Sequence, residues 1–486
     1  MVEAVKPGAV PMGREEPLPI RSLPEAPSAV HLLGPGMVLT ALGVGLGETF
    51  MWPRLVILFG PEIRWLFLVG VTLQLVVMME MARWAMATGE SIFFGAARLS
   101  RLVMWFFWAV AILVYIWPGH VSLGAESLQT LTGIPWQVGA IGGLILIGLI
   151  LTFSKQVYSV VEGVLSTLIS VLVIGSAIIA AMVGTWGDLW DTIRGLFSFG
   201  YLPAEVLSAK WFPVIVGSIA FAGPSGMQQM WYTLYLRDKG AGMGAYIPRI
   251  KGLLARGEEE TMPSRGFTFD TSDPGEMRKW AAWRRWNAFD AWVLFWGLTM
   301  LTTIIYTIMA MSAARMDPQV RDLILAGKQT AALAGMANAF GSVGGSVTRA
   351  LFFVFVAIVG WKMTFGIFDA FSRGQADMTY YFVPGARRWS MSKIYYGFLW
   401  GVIGFGILTL LAGSPRGPAF ILDTLAFLSA FVMGAYSLLL LFTNNRLLPR
   451  PLRPGWLTNL LLGVATVFYL GGLFYSVLFL GAIPKG

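Results

Sequence analysis

Long apolar runs separated by short polar stretches dominate the chain. Eleven of them have the length that crosses a bilayer as a helix, about 20 residues. They lie at 33–58, 63–87, 101–131, 136–153, 157–184, 211–236, 287–312, 346–372, 393–413, 418–443 and 457–481. Two intervening stretches are longer. Residues 238–286 mix charge with turn formers (RGEEETMPSRGFTFDTSDPGE) and predict a flexible loop. The end of that loop, 277–285, reads MRKWAAWRR and suits a helix lying at the lipid headgroups. Residues 314–345 predict a short helix and then a hinge at GSVGGS. Residues 1–30 are polar and Pro-rich, lack the apolar core of a signal peptide, and predict a disordered tail ahead of a membrane domain over 31–486.

Two of the spans are interrupted. Span 1 reads GPGMVLTALGVGLGETFMWP from Gly34 to Pro53, with Gly43, Gly45 and Gly47 just before Glu48. Glycine weakens a helix, and a carboxylate at membrane depth is costly enough to point to function. Span 6 carries Ala220-Phe221-Ala222-Gly223-Pro224-Ser225-Gly226, where Pro224 removes a helix donor. Matching breaks five spans apart point to an inverted repeat, spans 1–5 and 6–10, with a site between the breaks. Two plainer readings stay open: a Gly-rich packing face with Glu48 paired to a basic neighbour, and a simple proline kink.

Composition narrows the class. Hydrophobic residues make up 56% of the 486, charged residues only 13%, and mean hydropathy is +0.68. Absence of cysteine excludes disulfides, iron–sulfur clusters and thiolate metal sites. The net charge of +9 does not suggest nucleic acid, because most Lys and Arg outside the spans fall on the side of the N-terminus. That asymmetry puts the N-terminus in the cytoplasm of a multi-pass protein of the cell (inner or plasma) membrane. Two histidines and no nucleophile–base pair argue against an enzyme and call for no cofactor. The partners implied are the lipid bilayer and a small-molecule or ion substrate. The oligomeric state is left open, and a monomer is compatible with the sequence.

Several polar residues inside the spans need an account. Lys362, deep in span 8, requires a carboxylate, and Glu48 and Asp369 are the candidates. His120 and Glu126 in span 3 are candidates for a proton pathway, although a packing histidine satisfies the same pattern. Glu80 and Arg83 share a helix face and predict a structural pair. Glu162 and Asp290 sit where helix N-termini are expected.

With these positions in hand, the chain resembles the Nramp family of proton-coupled metal transporters. Gly34-Pro35-Gly36 is similar to the GPG that opens that family's first helix. Ala82-Arg83-Trp84 with Ala87-Thr88-Gly89 resembles its A-R-L-G…A-T-G, and Gly133-Ile134-Pro135 its G-I-P after helix 3. Phe442-Thr443-Asn444-Asn445-Arg446 resembles its F-T-S-D-R after helix 10. The resemblance implies an all-α, eleven-helix LeuT-type inverted repeat with broken helices 1 and 6, and secondary transport by symport.

The site departs from the family pattern. The family's D-P-G-N in helix 1 aligns with Gly45-Leu46-Gly47-Glu48, and its A-x-x-M-P-H-N in helix 6 with Ala220 to Gly226. The family's metal ligands thus reduce to Glu48 and the Ala220 carbonyl, with Gly223 in place of the thioether and Ser225 in place of histidine. The family's acidic proton-transfer residue in helix 3 falls near His120. Such a site, without sulfur, suits a hard divalent cation such as Mg²⁺ or Mn²⁺ if it holds a metal at all. Alternatively Gly45, Glu48, Ala220, Gly223, Ser225 and Lys362 bind a small polar organic solute, or the chain is a transport-incompetent sensor or scaffold.

Overall fold

The structure, a computed structural model, describes residues 9–10, 12–27, 45–153, 167, 173–248, 265–412 and 416–484. The start of span 1 with Gly34-Pro35-Gly36 and Gly43, most of span 5 with Glu162, and 249–264 of the long loop lie outside them.

Apolar length translates directly into helices. Among the described residues eight helices are long and apolar enough to cross a membrane. They are Pro61–Thr88, Arg101–Thr132, Trp136–Phe153, Pro274–Met316, Ala331–Phe382, Met391–Leu411, Gly417–Leu447 and Trp456–Phe479, matching expected spans 2–4 and 7–11. The other three fall short for identifiable reasons. Spans 1 and 5 are described only in part, and span 6 is two helices, Phe212–Ala220 and Gln228–Lys239.

The breaks follow their glycines and prolines. Helix Phe212–Ala220 stops where Pro224 and Gly226 follow, and Gly226 takes φ +56°, a region open to glycine. Freed backbone groups must find partners at this depth. The Tyr115 hydroxyl donates to the Ser225 carbonyl at 3.2 Å and accepts from the Met227 N–H at 3.0 Å. Gln74 Nε2 donates to the Ala220 carbonyl at 3.0 Å. Span 1 runs through a π-helical turn, Gly47–Met51, into Trp52–Phe59. Its backbone is therefore helical at Glu48, and any unwinding lies at Gly45 or earlier, not across Gly45–Glu48 as the glycines suggest. Gly47 nevertheless meets the other break, since a Cβ there would stand 2.9 Å from Phe221 Cβ and 3.0 Å from its carbonyl carbon.

Other departures have local causes. Span 3 is interrupted at Trp117-Pro118, where Pro118 ends one helix and precedes Gly119–Thr132. The headgroup helix and span 7 fuse into one helix through a π-helical segment, Asp290–Gly297. Asp290 is consequently not at a helix N-terminus; it is buried and accepts from the Tyr232 hydroxyl at 2.8 Å. The hinge at GSVGGS is present as non-helical Gly344 and Gly345. Small residues bring spans 3 and 8 together: a Cβ on Gly124 would lie 3.0 Å from the Ala357 carbonyl, and Gly360 abuts the His120 carbonyl.

The expectation of a disordered tail does not hold for 12–27. Apolar Met12, Leu18 and Leu23 are buried, and β2 (Leu18–Pro19) pairs antiparallel with β1 (Ala9–Val10). Arg98 donates to the Met12 and Glu16 carbonyls at 2.9 Å, and Glu276 accepts from the Leu23 N–H at 2.5 Å. The segment is a strap across one end of the bundle, tied to 265–286 by buried polar groups that the bare tail composition does not advertise. This end is termed the strap side.

Candidate functional site

Glu48 is the centre of a buried polar cluster. Its Oε2 accepts from the Thr302 hydroxyl of span 7, while its Oε1 has no hydrogen-bond partner among the described residues. Arg64 and Lys362, both buried, are the basic groups whose charges reach it. Lys362 is buried in the same region as Glu48, near enough for each to feel the other's charge. Asp369 is committed elsewhere: it binds Arg373 at 2.9 Å and accepts from Tyr235 and Tyr395 at 3.0 and 2.7 Å.

Arg64 is the most unusual member. All three guanidinium nitrogens are buried without a hydrogen-bond partner among the described residues. The group lies instead over the rings of Phe67 at 4.4 Å and Trp52 at 5.1 Å. Aromatic faces attract a guanidinium but leave its N–H donors unused. Unused donors and an unused carboxylate oxygen in one cluster are what a bound polar solute would satisfy.

The other expected residues are placed as follows. Ala220 and Gly223 face Gln74 of span 2: its amide caps the Ala220 carbonyl, and its Oε1 lies 2.6 Å from where a Gly223 Cβ would be. The amide thus fills the space that a longer side chain at 223 would take. Ser225 is buried, and its hydroxyl accepts from Gln228 Nε2 at 3.3 Å. Gly45 lies against Met363, whose Sδ is 2.6 Å from a would-be Cβ. The expectation that no thioether stands near the break is therefore wrong, because span 8 contributes one beside Lys362. Among the described residues no three His, Cys, Asp or Glu converge as a metal-binding group.

His120 and Glu126 do not come together. His120 is buried with both ring nitrogens unpartnered among the described residues, its ring 5.5 Å from that of Phe221. Glu126 instead lines a cavity of about 470 Å³ at the end opposite the strap, with Lys328, Gln329, Arg349 and Arg416, and accepts from Thr330 at 3.2 Å. Sequence reading missed Arg64, Gln74, Thr302 and Met363. Gln74 carried a usable signal, a lone amide in an apolar span. Thr302 and Met363 carried none.

Both ends of the cluster are closed. On the strap side Arg373 bridges Asp369 and Asp238, and Arg237 pairs with Asp377 at 2.6 Å, which also accepts from Ser91. On the opposite side Arg54 of span 1 grips Asp423 of span 10 through two hydrogen bonds, 3.0 and 2.7 Å, and donates to Gln329 at 3.3 Å. Glu80 and Arg83 pair as expected, at 2.8 Å.

Comparison with protein-family models finds no match, and comparison with curated proteins finds none either. Solved structures do match over nearly the whole chain. A manganese transporter of Eremococcus coleocola, in a mutant form, superposes with TM-score 0.66 at 13% identity, covering 94% of this chain and 90% of that one. Mhp1, a nucleobase-cation-symport-1 family transporter in a closed conformation with bromovinylhydantoin bound, gives 0.54 at 13% identity, covering 92% and 90%. MhsT in complex with L-phenylalanine gives 0.52 at 14% identity, covering 93% and 99%. The chain has the LeuT-type fold that these transporters share.

Proposed function

We propose that the chain is a secondary active transporter, related to the Nramp metal transporters, whose substrate is a small polar organic solute with an anionic group. The solute sits between the two breaks, among Gly45, Glu48, Ala220, Gly223, Ser225 and Lys362, with Arg64 as a further contact. His120 serves as the proton-accepting group, and Glu126 stands at the mouth opposite the strap. The observation that carries this reading is Arg64: its three buried guanidinium nitrogens are without a hydrogen-bond partner among the described residues, in the same cluster as the unpartnered Glu48 Oε1. A guanidinium and an ammonium are binding groups for a carboxylate or phosphate and repel a bare divalent ion. The Ala220 carbonyl, the other metal ligand implied by the resemblance, already accepts from Gln74.

A hard divalent cation such as Mg²⁺ or Mn²⁺ is the second reading, favoured by the TM-score of 0.66 to a manganese transporter. A thermal-shift panel on the purified protein, metals beside carboxylates and zwitterions, separates the two. Anionic or zwitterionic solutes should stabilise the protein, and divalent ions, Cd²⁺ included, should not. Micromolar Cd²⁺ or Mn²⁺ binding in calorimetry, lost in Glu48→Gln or Met363→Leu, would return a metal ion to first place. Uptake of the stabilising solute into proteoliposomes then distinguishes a transporter from a sensor.

A further inference from the structure

Where span 8 ends and span 9 begins, the strap side of the bundle has a cleft of about 350 Å³. Its inner wall is apolar, with Val383, Ile394 and Phe398, and its rim carries Arg388 and Lys393. Both cations are exposed. Trp389, beside them, is 53% exposed, the position of an aromatic anchor at the headgroup level. Lys393 shares a helix face with Gly397 and Trp400, four and seven residues on. That face continues through Gly404 into Leu411, both exposed, a surface turned to lipid. A Cβ at Gly397, Gly401 or Gly404 would meet nothing within 4 Å, so the cleft opens into a shallow groove along span 9.

We propose that an anionic phospholipid of the strap-side leaflet occupies this cleft, its phosphate held by Arg388 and Lys393 and one acyl chain lying in the groove over Gly397. Charge complementarity selects the headgroup: a basic rim above an apolar wall at the membrane surface pairs with a phosphodiester of net negative charge. The helix that forms this cleft carries part of the strap-side closure on its other face. Tyr395, on the opposite face of the same helical turn as Lys393, donates to Asp369 of the Arg373 network. Thr379, in the cleft wall, accepts from Trp108 at 3.3 Å. A lipid wedged here holds span 9 against span 8 while that network is intact.

Native mass spectrometry and thermal unfolding of the full chain, with phosphatidylglycerol, phosphatidylcholine or inorganic phosphate added, test the proposal. Phosphatidylglycerol should stay bound and raise the unfolding temperature, with a preference over phosphatidylcholine of roughly fivefold for each cation engaged. Arg388→Gln with Lys393→Gln should abolish the preference, while Arg446→Gln with Arg450→Gln should leave it intact. Gly397→Leu keeps both charges, fills open space, and should reduce the bound lipid. Equal binding of the two lipids, a preference that survives Arg388→Gln with Lys393→Gln, or equal stabilisation by inorganic phosphate would overturn it.

Discussion

Replacing Asp423 by Asn isolates the closure opposite the strap. Arg54 is fully buried and the Asp423 side chain 3% exposed. The carboxylate accepts from both terminal guanidinium nitrogens, and among the described residues Arg54 also donates to Gln329 and lies over the Phe50 ring at 4.9 Å. An amide removes the charge and turns one of the two acceptors into a donor facing a donor. Stranding a buried charge in this way costs about 3–5 kcal/mol. Arg54 recovers hydration if this side opens, so the cost falls on the closed state. At roughly 1.4 kcal/mol per tenfold, the closed-to-open ratio should fall by on the order of a hundredfold or more. The chain contains no cysteine, so Ala419→Cys, in the wall of the adjoining cavity, reports opening without background labelling. Its reaction with a membrane-impermeant maleimide should accelerate strongly in the Asp423→Asn background. Arg54→Met with Asp423→Leu should unfold close to the parent temperature, because an apolar pair needs no compensation. Labelling within twofold of the parent, or a double variant as unstable as Asp423→Asn, would refute the reasoning.

Lys362→Met should lower thermal stability and Glu48→Gln with Lys362→Met should recover part of the loss, a coupling of about 1 kcal/mol in a double-mutant cycle; additive effects would mean that the two charges do not act on each other. Gly47→Ala places a methyl against the Phe221 backbone and should destabilise by about 1–3 kcal/mol in thermal unfolding, whereas Gly142→Ala, with open space around it, should not. Equal effects of the two would show that the breaks do not touch.

Membrane architecture was largely legible because apolar length alone specifies a spanning helix, and no tertiary detail is needed to read it. The break in span 6 was legible for a similar reason: Pro224 and Gly226 act on their own backbone. In span 1 the glycines overstate how far the opening reaches toward Glu48, because Thr49 holds the turn by bonding the Gly45 carbonyl at 3.0 Å through its N–H and its hydroxyl. The site was half legible. Glu48 and Lys362 stand out as charges in apolar runs. Arg64 does not, because at the start of a span it looks like an ordinary interfacial cation, and only folding turns it inward over Phe67 and Trp52. Thr302 and Met363 become neighbours of the breaks only through the packing of spans 7 and 8. The strap is not legible in the sequence because apolar residues scattered singly among prolines and charges, without a helix or strand period, do not forecast burial.

The two closures are built unequally. The strap-side one joins spans 6, 8 and 9 through two arginines, three aspartates and two tyrosines, with 12–27 lying across the same end. Among the described residues the other is a single arginine clasped by one aspartate and one amide. Breaking the first requires many partners to let go together, whereas the second needs only one. If the chain transports as proposed, its empty form should sample the medium beyond Asp423 far more often than the medium beneath the strap. On that proposal, release past the strap should set the turnover, and solute loaded from the Asp423 side should provide the differential binding that this step demands.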